Sequence, residues 1–153
     1  MLNITILTIG KIKEKYFAQA IGEYLKRLGP YAKIRVEELK AEPFRESSKE
    51  KAKNAEGKRI ISFLDKHSDS EIFILDENGE EFSSPDFSKA VRDESNHLIF
   101  VIGGSLGLSE EVKKKGKNIS LSKMTFPHEM ARMILTEQIY RAVTIIKGKQ
   151  YHY

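Results

Sequence analysis

The chain has 153 residues, with 26 lysines and arginines against 22 aspartates and glutamates and a formal charge of +4, about one domain's worth of polypeptide. Hydrophobic residues make up 40% and charged residues 31%, a balance that supplies a core and excludes the polar profile of a disordered protein. The absence of cysteine excludes disulfides, thiolate zinc sites, iron–sulfur clusters and a cysteine nucleophile, and fits a reducing cytosol.

Met1–Gly10 is apolar but lacks a basic leader and a small-residue cleavage site, so it does not read as a signal peptide. Leu2–Ile9 reads as a buried first strand ending in a turn at Gly10-Lys11. Phe17, Ile21, Tyr24, Leu25 and Leu28 recur at three- and four-residue spacings and predict a helix from about Lys15 to Leu28, stopped by Gly29-Pro30. Ile34–Leu39 predicts a second strand, and Ser47–Lys66 a long helix whose charged first half is solvated. The run in Glu71–Asp76 fits a strand covered on both faces. Ser84-Pro85 opens a short helix as a cap followed by proline. His97–Ile102 is the next buried strand, Ser109-Glu110-Glu111 starts another helix, Asn118–Ser122 is a short last strand, and Pro127–Ile146 is again helical. Alternating strands and helices predict an α/β domain spanning 1–153, with a mostly parallel sheet and helices on both faces. Its apolar runs, such as Leu98–Ile102, are too short to cross a bilayer, so a soluble protein with no membrane contact is expected. Ligands of such sheets bind beyond the carboxyl ends of the strands, here the loops after Leu75, Ile102 and Ser122.

Several chemistries have no motif. The loop after the first strand lacks G-x-G-x-x-G, no phosphate-binding G-x-x-x-x-G-K-[ST] occurs, and His128-Glu129 is followed by Arg132 where a second zinc-binding histidine would stand. No metal is expected. Gly103-Gly104-Ser105-Leu106-Gly107 matches the G-x-S-x-G of a serine hydrolase, yet no aspartate follows Ser105. The same glycines read equally as a strand-end turn, or as bare backbone against which a flat ligand can lie. Residues 103–153 hold 9 basic and 4 acidic side chains, against 17 and 18 in residues 1–102, so a small RNA-binding module without chemistry is a further reading.

In the last helix Ala131, Ile134, Leu135, Ala142, Ile145 and Ile146 form the expected core stripe, with Gln138 inside it as a tie to a neighbouring backbone or ligand. Glu137 and Arg141 are spaced to pair.

Five segments in order, Leu75-Asp76-Glu77-Asn78-Gly79, Ile102–Gly107, Leu121–His128, Glu137-Gln138-x-Tyr140-Arg141-Ala142 and Gly148-x-x-Tyr151-His152, resemble the ribosomal RNA large subunit methyltransferase H family over the whole chain. The resemblance implies a trefoil-knotted SPOUT-type homodimer that uses S-adenosylmethionine to methylate N3 of a pseudouridine in 23S rRNA of the assembled ribosome. By position it implies a cofactor pocket of Leu75, Gly103, Leu121, Ser122, Lys123, Met124, Thr125 and Phe126, with a cytoplasmic location. Abstracting an imide proton calls for a base. His152 is the candidate, with Tyr151 positioning the base and Arg132 stabilising charge on a uracil carbonyl or holding phosphate; His128 and Glu137 would brace the pocket. The tail of one subunit is expected to complete the other's site. Two residues depart from the family pattern: Tyr153 ends the chain where a basic residue is usual, and Glu129 stands where glutamine is frequent.

Overall fold

The computed structural model describes residues 1–92 and 96–153. Its five strands are β1 (Leu2–Ile9), β2 (Ala32–Leu39), β3 (Glu71–Glu81), β4 (His97–Ile102) and β5 (Lys117–Ser120), and its helices are α1 (Lys15–Leu28), α2 (Lys49–Asp65), α3 (Ser84–Ala90), α4 (Glu110–Lys113) and α5 (His128–Ile146). The strands form one parallel sheet in the order β2-β1-β4-β3-β5. β1, β4 and β3 take the interior positions, where both faces of a strand are covered.

Alternation along these strands divides the core in two. Ile4, Ile6, Phe73, Leu98 and Phe100 face the layer of α1, α3 and α5, where Leu28, Phe87, Leu135, Ile139 and Val143 meet them. Leu7, Ile9, Ile74, Ile99 and Val101 face α2 and α4, through Ile60, Leu64 and Val112. The α/β class and the parallel sheet are therefore as the alternation of elements predicts.

The differences lie at element ends. The long helix begins one residue after a 3-10 turn at Glu46–Ser48. Ser83, not Ser84, caps α3, accepting from the Asp86 amide at 3.2 Å. That frees the Ser84 hydroxyl to donate to Gln138 Oε1 at 2.7 Å, so Gln138 ties α5 to α3. The buried face of α5 is Leu135, Ile139, Ala142 and Val143 together with Arg132 and Thr136. Ala131, Ile134 and Ile145, expected in that stripe, are half-buried on its flank; a 19-residue helix drifts round its axis enough for a short apolar pattern to mark two adjoining faces.

The largest departure is β3, which does not stop at Asp76. Leu75 and Glu80 both pair with Ile119 of β5, so residues 76–79 leave the ladder as an excursion and the strand then resumes beside the same neighbour. Gly79 makes the return possible: a Cβ there would lie 2.6 Å from the Asn118 carbonyl carbon and 2.7 Å from the Ile119 nitrogen. β5 in turn ends at Ser120, releasing Leu121 and Ser122 from the sheet.

α5 is locked across the opposite side of the sheet by two side chains from its first turns. Arg132, 4% exposed, donates from Nη1 to Glu38 Oε2 at 2.8 Å and from Nη2 to Thr8 Oγ1 at 2.8 Å and the Gly10 carbonyl at 3.1 Å. Glu129 accepts from the backbone amides of Lys13 (2.7 Å) and Glu14 (3.1 Å), satisfying the start of α1, whose own cap residue supplies no side-chain bond. Burial works to raise the Glu129 pKa, but the Glu14 and Lys13 amides, with His128 and Arg132 nearby, outweigh it and hold the carboxyl below its ordinary value.

Two outcomes are expected. Gly79→Ala forces a methyl against the β5 backbone and destabilises the protein by roughly 2–3 kcal/mol, at the upper end for overpacking, measurable by urea unfolding. Glu129→Gln lowers stability by about 1 kcal/mol at neutral pH, as a charge-assisted bond is exchanged for a neutral one. Because the native carboxyl titrates below the unfolded one, its contribution is complete above the ordinary glutamate range and disappears as pH falls through the lower native value. The gap between wild type and variant therefore closes on acidification, which unfolding curves at a series of pH values read directly.

Candidate active site

The carboxyl ends of β3, β4 and β5 open on a cleft of about 800 Å³, where ligands of parallel sheets bind. Three loops and the start of α5 build it. The first is the β3 excursion, which contributes Leu75, Asp76, Glu77 and Asn78. The Asn78 amide folds back to Asp76 Oδ1 at 3.0 Å, and Lys113 Nζ lies 3.8 Å from the other Asp76 oxygen. The second, Gly103–Leu108, follows β4; Gly104 and Gly107 pair across it, and Gly107 has φ +75°, a left-handed conformation that favours glycine. A Cβ on Gly103 would lie 3.0 Å from both the Gly107 carbonyl carbon and Leu108 Cγ, so this edge of the cleft is bare backbone.

The third loop, Leu121–Pro127, is wired to the first. Ser120 Oγ reaches the Glu77 carbonyl at 3.1 Å and the Ser122 carbonyl at 2.8 Å, the Met124 amide donates to Ser122 Oγ at 3.0 Å, and the Thr125 hydroxyl donates to the Glu77 carboxylate. The first and third loops thus form one connected stretch of the rim. The walls combine the apolar Leu75, Ile102, Leu106, Leu121 and Phe126 with the carboxylates of Asp76 and Glu77. Such a site suits a ligand with a flat apolar part, hydroxyls and positive charge.

Of the residues expected in a cofactor pocket, Leu75, Gly103, Leu121, Ser122, Met124, Thr125 and Phe126 all line this cleft. Lys123 is outside the lining, with its ammonium 3.9 Å from Glu81. Asp76, Glu77, Asn78, Lys113 and His128 also line it. Asp76, Glu77, Asn78 and His128 belong to the quoted segments, so the signal for them was the motif itself; nothing in the sequence marks Lys113. Ser105 is exposed at the rim with no hydrogen bond to a histidine or acid among the described residues. The arrangement a serine nucleophile needs is not formed there.

The residues expected to act on the substrate lie elsewhere. Arg132, 4% exposed, places three of its N–H donors on Glu38, Thr8 and Gly10; placed so, it holds α5 to the ends of β1 and β2. Tyr151 and His152 fold onto the far end of α5. The Tyr151 hydroxyl donates to Glu137 Oε1 at 2.9 Å and lies 3.3 Å from the Tyr24 hydroxyl, and its ring lies 4.8 Å from the Arg141 guanidinium. Burial, then the bonds to Tyr24 and Glu137, push the Tyr151 pKa up, so this phenol stays a donor. Arg141 pairs with Glu137 at 2.6 Å, as their spacing predicts, and the Glu137 bond is the main reason its pKa is raised. Arg141 Nη1 also lies 3.2 Å from His152 Nδ1. A guanidinium only donates, so Nδ1 is the acceptor and a neutral His152 ring carries its proton on Nε2.

His128 lines the cleft while Arg141 holds the tail, and the thirteen helical steps from one to the other span ~20 Å. Within one chain, cleft and tail do not meet. Over its whole length α5 has no exposed position: Met130, Met133, Ile134, Glu137, Arg141 and Ile145 are half-buried along its outer side.

The family model described as a predicted SPOUT methyltransferase matches residues 2–152. Curated relatives named ribosomal RNA large subunit methyltransferase H are 44% identical in Enterococcus faecalis, 45% in Clostridium botulinum and 43% in Lactobacillus acidophilus, each alignment covering 99% of both chains. Among solved structures, a probable methylase family protein from Haemophilus influenzae superposes with a TM-score of 0.59 at 15% identity, covering 99% of this chain and 71% of that one. A putative RNA methyltransferase from Bacillus anthracis gives 0.53 at 14%, covering 99% and 100%. With the connected strand-end cleft and full-length identity above two fifths, the chain belongs to the ribosomal RNA large subunit methyltransferase H family of SPOUT methyltransferases.

Proposed function

We propose that the protein is a cytoplasmic homodimer that uses S-adenosylmethionine to methylate N3 of a pseudouridine in 23S rRNA of the large ribosomal subunit, by direct in-line transfer at a site shared between two subunits. The observation that carries this reading is the cleft, whose donor set fits that cofactor. Gly103 offers backbone where a Cβ would collide with Gly107 and Leu108, and Leu75, Ile102, Leu121 and Phe126 offer apolar walls for a purine. Asp76 and Glu77 offer negative charge to a cationic sulfonium and ammonium. When bound, S-adenosylmethionine supplies a methyl group already activated on sulfur, so the protein's tasks are alignment and removal of one proton. The family's trefoil knot belongs to the same reading and would keep the three loops joined around the ligand.

The proton is assigned to His152. Its lone pair is on Nδ1, the atom now facing Arg141. Substrate must therefore draw the guanidinium toward a uracil carbonyl, where it stabilises the developing imidate, before Nδ1 accepts the N3 proton. Tyr151, bonded to Glu137, fixes the tail and so positions the base. Arg132 contributes by locking α5 rather than by touching the nucleotide. The ~20 Å of helix between tail and cleft supports a dimer in which one subunit's tail reaches the other's cleft. So does the outer side of α5, where Met130, Met133, Ile134 and Ile145 are apolar and incompletely covered.

Calorimetric titration with S-adenosylmethionine is expected to give one site per chain, and Gly103→Val to abolish it; a wild-type protein without heat of binding contradicts the reading. His152→Ala is expected to lower methyl transfer to unmethylated ribosomal subunits by about 100-fold or more, leaving cofactor affinity intact. An unchanged rate would take the base assignment away from His152. Mixing Gly103→Val with His152→Ala chains is expected to restore activity that neither has alone, since the mixed dimer keeps one intact cleft facing one intact tail.

A further inference from the structure

Many cations of this chain have a carboxylate nearby, as Arg27 has Glu23 and Arg59 has Glu42. The turn from β1 into α1 is different. Lys11, Lys13 and Lys15 fall within five residues, all exposed, and their side chains make no ion pair among the described residues. Unpaired surface lysines are ordinarily just solvated. Here the backbone beneath them is fixed: Arg132 holds the Gly10 carbonyl, and Glu129 holds the amides of Lys13 and Glu14.

This mounting also places the turn beside the cleft. A Cβ on Gly104, in the cleft's second loop, would lie 3.0 Å from Ile9 Cγ2, at the end of β1. On the other side Glu129 follows His128, which lines the cleft. The backbone that carries the three lysines is therefore anchored at Gly10, Lys13 and Glu14, next to elements that build the cleft. The three ammonium groups are point charges without the planar fork that reads base edges, which suits contact with a phosphate backbone and not sequence reading.

We propose that Lys11, Lys13 and Lys15 form a phosphate rail that seats the ribosomal RNA strand flanking the target nucleotide, clamped in place by Glu129 and Arg132; this rests on the methyltransferase function proposed above. The rail supplies docking affinity and leaves the chemistry to the cleft and tail. The clamp matters because a mobile lysine loop would bind phosphate without orienting the strand toward the methyl donor.

The test compares Lys11→Gln/Lys13→Gln/Lys15→Gln with Lys51→Gln/Lys58→Gln/Lys66→Gln, which removes three exposed lysines from α2 and its C-terminal end. Binding to purified unmethylated large ribosomal subunits is measured between 50 and 200 mM salt, a range over which phosphate contacts dominate the change. The rail variant is expected to lose about 2 from the slope of log K against log salt, since each phosphate contact contributes ~0.7–0.9. Its KM for the subunit rises about 10-fold or more, while kcat at saturation and the affinity for S-adenosylmethionine stay at wild-type values; the α2 variant behaves as wild type. An unchanged slope, an equal loss in the α2 variant, or a loss seen only on vesicles of anionic phospholipid would overturn the rail. A wild-type protein that neither binds S-adenosylmethionine nor methylates the subunit would instead overturn the underlying function.

Discussion

The buried guanidinium of Arg132 is the constraint on which the rest of the architecture leans. A charge taken out of water needs acceptors on every side, and Arg132 finds them on three different segments: Glu38 at the end of β2, Thr8 near the end of β1 and Gly10 in the following turn. With Glu129 capping α1 from the same helix, the first turns of α5 are fixed against the carboxyl ends of β1 and β2. One end of that helix is then a wall of the cleft and the other is the platform for the tail. A single buried side chain thus sets the geometry of both.

The tail cluster follows a different logic. Glu137 gathers donors from Arg141, Gln138 and Tyr151, Tyr24 of α1 reaches the Tyr151 hydroxyl, and Arg27 lies over the rings of Tyr24 and Tyr140. A carboxylate with so many donors is a strong organiser. The result is a compact aromatic and cationic surface from which a histidine projects, well suited to holding an unstacked base. The cleft and the tail cluster are thus built at two separate ends of α5.

Much of this was legible in the sequence, for identifiable reasons. β1, α1 and β4 have the boundaries their patterns predict, because an uninterrupted apolar strand and a helix closed by Gly29-Pro30 leave little freedom. The cleft was legible through its loops, since strand ends of a parallel sheet must converge somewhere. The excursion in β3 was not, because Asp76–Gly79 looks like an ordinary polar turn and the resumption beside Ile119 is a long-range pairing. The core face of α5 was misjudged between Ile134 and Ile139 because both outer and inner sides are apolar. The engagement of Arg132 by Glu38 was not legible either, because nothing near Arg132 in the sequence marks so distant a partner.

The double pairing of Ile119 has one more consequence, for how the family can vary. Ordinary surface loops accept insertions freely, since their ends are pinned only by distance. Here both ends of the 76–79 segment are registered on a single residue of the neighbouring strand, and strand side chains alternate in facing. Adding or deleting one residue would either invert Glu80 and Glu81 through the sheet or slide β5, dragging Leu121 and Ser122 with it. The length of this loop is thus quantised, and homologues should change its side chains long before they change its count.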